Sequence, residues 1–99
     1  MTDPKSFIAK LRTKPGSRDR FVELQTELKR LVFEHEPDVL VYELLQSDDD
    51  ADLFFCIATF RDQAAFDHHM TIDFHERLVP PILECLAEDM DLGYYRSRQ

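Results

Sequence analysis

The sequence predicts an α+β domain of ferredoxin-like βαββαβ order, with a four-stranded antiparallel sheet and its helices on one face. Three observations carry this. Apolar residues recur at three- and four-residue spacing from Phe21 to His35, the signature of one long amphipathic helix. Two runs rich in β-branched and aromatic residues, "VLVYELLQ" and "LFFCIATF", flank the short acidic segment "SDDDAD" and read as an antiparallel hairpin. A second helical stretch then leads to the short aromatic segment "MDLGYYR". Helices packed against one sheet form the smallest architecture that satisfies this order.

Taken in order, "SFIAKLRT" alternates weakly and predicts a first strand over Phe7 to Arg12. Pro15 and Gly16 supply a turn, and Ser17 is placed to cap the helix that follows, because its hydroxyl can accept a free first-turn N–H. Phe21, Leu24, Leu28, Leu31, Val32 and His35 form the apolar face of that helix, about eighteen residues long, and Arg20, Glu23, Glu27 and Arg30 its solvated face. Pro37 and Asp38 end it. In the first hairpin strand, Val39, Val41 and Leu45 share one face and Leu40, Tyr42 and Leu44 the other, so both faces are apolar. Asp62 is expected to cap a helix over "RDQAAFDHHM", and Asp73 a further one over "DFHERLVPPILECLAED", with Glu76 as reciprocal partner. Pro80 and Pro81 should kink or interrupt that last helix.

Helices shield one side of the sheet, so its other apolar side calls for a partner. A second copy related by two-fold symmetry, sheet against sheet, is the expected homodimer. The whole chain, 1–99, is read as one domain with its core over about 6–95. The formal charge of −8, from 20 acidic and 12 basic residues, argues against nucleic acid and anionic membranes as partners. No segment approaches the apolar length of a membrane span. Cys56 and Cys85 lie in apolar segments and are expected to be free, buried thiols, which points to the cytoplasm.

"KPGSRDRFVELQTEL", "EPDVLVYELLQSDDDADLFFCIATFRDQAAFDHHM" and "IDFHE" together resemble the antibiotic biosynthesis monooxygenase domain family, small dimeric α+β barrels. Glu36 and Pro37 match that pattern, with Asp38 in place of its glycine. Tyr42 with Glu43, Ala65 with His69, and Phe74 also match. Ala58 stands where the family strand carries Glu and Phe60 where it carries Trp, and the chain has no Trp and no Asn at all. Family members that oxygenate phenols without a cofactor use Asn, Trp and His, and the haem-degrading branch also needs Asn and Trp. The resemblance therefore implies a cofactor-independent monooxygenase or oxidoreductase acting on a small aromatic or quinol-type molecule, with haem degradation disfavoured. An isomerase of the same superfamily, or a non-catalytic binding or stress-response module, is the alternative.

Of the four histidines, His69 lies one turn after Ala65 on the apolar side of its helix. It is either a core histidine with satisfied nitrogens or a general base, since its ordinary pKa near 6.5 suits proton transfer at neutral pH. His68 should point to the rim or surface, and His75, in the first turn of the next helix, should be neutral or exposed. Adjacent helical residues diverge, so the histidine cluster does not predict a metal site. Two glycines leave no phosphate or dinucleotide loop, and no organic cofactor is indicated; molecular oxygen would be the co-substrate of a monooxygenase. Tyr42, Phe54, Cys56, Phe60, Phe66 and Phe74 are core residues that could equally wall a cavity for a flat ring. Without Glu at Ala58 or any Asn, His69 is expected to work with few charged helpers.

Overall fold

The computed structural model describes residues 3–98. Its elements are β1 (Lys5–Arg12), α1 (Arg18–His35), β2 (Val39–Gln46), β3 (Leu53–Phe60), α2 (Gln63–Thr71), α3 (Asp73–Glu84) and β4 (Asp91–Arg96). The sheet order is β2-β3-β1-β4 and every pairing is antiparallel. This is the ferredoxin-like arrangement the sequence predicts, with β1 and β3 central and the aromatic β4 at an edge.

The turn before α1 closes with the Ser17 amide on the Lys14 carbonyl at 3.0 Å, and Gly16 takes φ 84°, a conformation that suits glycine. Ser17 does precede the helix, but its side chain makes no capping bond. Phe21, Gln25, Leu28 and Val32 form the buried stripe of α1. Leu24 and Leu31 pack at its margins. His35 departs from the expected apolar face; half its side chain is exposed.

β3 alternates strictly. Phe54, Cys56, Ala58 and Phe60 are buried under the helices, and Leu53, Phe55, Ile57 and Thr59 lie half-buried on the open face. β2 does not follow its expected alternation, because the register shifts between Val39 and Val41. The extra residue of this bulge turns Val39 to the helix side together with Tyr42, and leaves Leu40, Val41 and Leu45 exposed. The open face thus carries Ile8, Val41, Leu45 and Tyr95 at 38% to 54% exposure.

Asp62 caps α2, accepting the Ala65 amide at 2.9 Å. The expected reciprocal cap on α3 does not form, since the helix begins one residue earlier. Ile72 is its N-cap, and the Ile72 carbonyl accepts the His75 and Glu76 amides, while Asp73 takes the Phe74 amide. Nor do the prolines interrupt α3, which runs through both. The carbonyls that lose partners one turn back belong to Glu76 and Arg77, both exposed residues on the solvent side of the helix. The buried stripe Phe74, Leu78 and Ile82 anchors the helix across the break in its ladder.

Candidate functional site

α2 presents Ala65, Phe66 and His69 inward, at the spacing that stacks residues on one helical face. His69 is 1% exposed. Its Nδ1 lies 2.9 Å from Oε2 of Glu36, whose side chain is equally buried. Glu36 is brought there by the end of α1. Its amide closes the last turn on the Val32 carbonyl at 2.8 Å, Pro37 prevents continuation, and the Glu36 carbonyl accepts the Val39 amide at 3.2 Å. A terminal turn thereby drives a carboxylate beneath α2. His69 thus has a single carboxylate partner, Glu36, which the sequence reading did not name as such.

Burial governs the protonation of this pair. It raises the Glu36 carboxyl above its usual range, and His68 partly opposes that rise. Burial, and then His68, lower His69 to about 4. The imidazole is therefore uncharged near neutral pH. With the carboxylate ionised, Nδ1–H donates to Glu36 and Nε2 keeps its lone pair. That is the tautomer a general base requires.

Around this ring, Phe60 stands with its centroid 5.1 Å away, Tyr42 at 5.9 Å, and His75 edge-on at 4.5 Å. His75 is half-buried and also lowered to about 4, by burial and then by His69. It is neutral, as expected, but belongs to the site. His68 is exposed. Among the described residues no group of three His, Cys, Asp or Glu side chains is placed to hold a metal ion.

A cavity of about 120 Å³ opens between the helices and the inner face of the sheet. An engineered cavity of about 150 Å³ accepts benzene, so this one is scaled to a single ring. His69, His75, Tyr42, Cys56, Phe66 and Gln25 line it, and Met90 and Tyr94 contribute from the C-terminal segment. Of the residues singled out from sequence, His69, Tyr42, Cys56 and Phe66 thus converge. Phe60 is fully buried and packs against His69 and Phe66 without lining the cavity. Phe54 packs at a tilt against Phe21, centroids 4.9 Å apart, and Phe74 lies 5.9 Å from His35, neither lining the cavity. Burial raises the Cys56 thiol to about 11, so it stays protonated, and burial with the neighbouring Cys56 raises the Tyr42 phenol well above 10. Both are hydrogen-bonding groups at neutral pH and not anions. Lys5 lies over Phe66 and Tyr94, 5.2 and 4.9 Å from their ring centroids.

Sequence reasoning did not assign Glu36, Gln25 or His75 to the site. Gln25 gave a signal, a polar residue spaced within the apolar stripe between Phe21 and Leu28. His75 follows a helix break, so its approach to His69 depends on the angle between α2 and α3, which no periodicity encodes.

The sequence profile of the antibiotic biosynthesis monooxygenase family matches residues 6–79. The chain belongs to that family. The match spans Gln25, Glu36, Tyr42, Cys56, Phe66, His69 and His75, and stops before Met90 and Tyr94. A solved antibiotic biosynthesis monooxygenase is 28% identical and superposes with TM-score 0.86, covering 96% of this chain and 99% of its own. A Caulobacter crescentus protein proposed to be such a monooxygenase is 19% identical, with TM-score 0.94 over 99% of this chain and 92% of its own. A conserved protein from Methanosarcina mazei is 21% identical, with TM-score 0.91 over 98% and 95%. The last two likenesses speak for the fold alone. No curated protein matches the chain. Among the described residues no helix is long and apolar enough to cross a membrane.

Proposed function

We propose that this family member is a cofactor-independent monooxygenase of a small aromatic, quinol-type substrate, with His69 as the general base and Glu36 holding its tautomer. The observation that carries the reading is the buried 2.9 Å contact between His69 Nδ1 and Glu36 at the wall of a ring-sized cavity. His69 Nε2 takes a phenolic proton, and the resulting phenolate is electron-rich enough to pass electrons to dioxygen. One oxygen atom becomes bonded to the ring and the other leaves as water, so that quinol plus O2 gives hydroxyquinone plus water. The protein supplies proton transfer and an apolar, water-poor enclosure, and the substrate supplies the electrons.

Two sheets packed open face to open face form the proposed homodimer. Ile8, Val41, Leu45 and Tyr95 would leave water there, a stronger reason for association than scattered surface residues give. The free, buried Cys56 and Cys85 support a reducing cytoplasmic setting.

Oxygen-electrode measurements with a panel of single-ring quinols test the activity. Oxygen uptake matched mole for mole by hydroxyquinone supports it. Rearranged product without oxygen uptake would favour an isomerase using the same base, and binding with no chemistry would favour a carrier of small aromatics.

A further inference from the structure

We infer that Gln25 is a ligand-binding residue of this cavity, whose carboxamide oxygen accepts a hydrogen bond from an O–H of the bound molecule. Gln25 is 6% exposed, sits in the otherwise apolar stripe of α1 and lines the cavity, and its Oε1 has no hydrogen-bond partner among the described residues. A buried amide oxygen left unpaired is destabilising, whereas an apolar side chain of similar shape at the same place would be nearly neutral or better. Tyr42, Cys56 and His75 are the other polar side chains on the lining, and His69 Nε2 is likewise an acceptor. Two acceptors on an apolar, single-ring cavity fit a flat molecule with two hydroxyl donors: one gives its proton to His69, and the other is held by Gln25.

This inference rests on the cavity being the ligand site and is independent of whether oxygen is consumed. Its test is anaerobic titration calorimetry of the full chain with two near-isosteric probes, hydroquinone and p-cresol, which differ by one hydroxyl donor. Gln25→Leu is expected to move the affinity ratio about tenfold or more toward p-cresol, and to denature at a temperature equal to or above the parent's. Gln25→Met serves as a second apolar replacement and should behave alike. An unchanged ratio, failure of the parent protein to bind either probe, or unfolding of both variants would each overturn the role. A shifted ratio without oxygen uptake leaves Gln25 in place and removes the monooxygenase reading; uptake with an unchanged ratio does the reverse.

Discussion

Acidification from pH 8 to pH 5 is expected to weaken the fold through two histidines. Unfolded, His69 and His75 titrate near 6.5; folded, both are lowered to about 4. For groups depressed in this way, the unfolded chain binds protons first as the pH falls. Their contribution is therefore fully present above pH 6.5 and is lost progressively toward pH 4. At pH 5 the loss comes to about 2 kcal/mol for fully buried His69 and to less for half-buried His75, whose shift is screened by solvent and owes part of its size to His69, so that the two together lose about 2 to 4 kcal/mol. Glu36 has the opposite sign. Its raised carboxyl is held less comfortably when ionised, so its protonation on acidification returns part of that loss. Exposed Glu27 and Asp50, lowered by hydrogen bonds to Arg30 and Arg12, release their contribution only below their ordinary values of 4.5 and 3.8, outside this window. The net loss of about 2 to 4 kcal/mol is a large share of a typical domain stability of about 5 to 15 kcal/mol. Urea titrations at fixed protein concentration should show the midpoint falling by about 1 to 3 M between pH 8 and pH 5. His69→Gln should remove the larger part of that dependence and His75→Gln a smaller part. Equal midpoints at the two pH values, or the same slope in both variants, would refute the assignment of neutral, buried imidazoles.

Three further outcomes follow from the same geometry. His69→Ala should keep the fold, by circular dichroism, and lower turnover about 10² to 10⁴-fold on whichever quinol the parent accepts, whereas Glu36→Gln, which keeps an acceptor for Nδ1 but removes the charge facing a protonated ring, should lower it less. Phe60→Trp should destabilise by about 1 to 3 kcal/mol in thermal denaturation, because Phe60 is 0% exposed and packed between Phe7, Phe66 and His69, which the larger ring would have to displace. Ile57→Lys, placing a charge at the centre of the open sheet face, should convert a dimer to monomer in sedimentation; a parent protein that sediments only as the 11.7 kDa chain would instead remove the dimer.

Most of the fold was legible because each element carried a local cause. The α1 stripe has the helical period, the two hairpin runs are β-branched and aromatic, and Asp62 caps α2 as its position before "QAAF" suggested. The departures have non-local causes. The bulge at Val39 to Val41 is decided by which residues of β3 they must oppose, and the persistence of α3 through Pro80 and Pro81 by the burial of Phe74, Leu78 and Ile82 on its other side. His69 was legible from its place one turn after Ala65. Its partner was not, since Glu36 lies 33 residues earlier in the chain and stood out only as matching the family pattern beside Pro37. Phe54, Phe60 and Phe74 show the converse limit: composition identifies aromatic core residues, but only the packing tells which of them a cavity reaches.

The polar content of this interior is the strongest argument that it is more than packing. Glu36 Oε1 and Gln25 Oε1 are both buried and unpaired among the described residues. His69 and His75 are held neutral at the expense of acid stability. Each of these features lowers stability by an amount that an apolar side chain of similar size would recover. A purely structural core has no evident gain from keeping four such residues close together, with two of the histidines on one ring-sized space. A site proposed to move a proton and orient a hydroxyl would gain from Gln25, His69 and His75, which line the cavity, because an unpaired acceptor and a neutral base are what a ligand's donors complete.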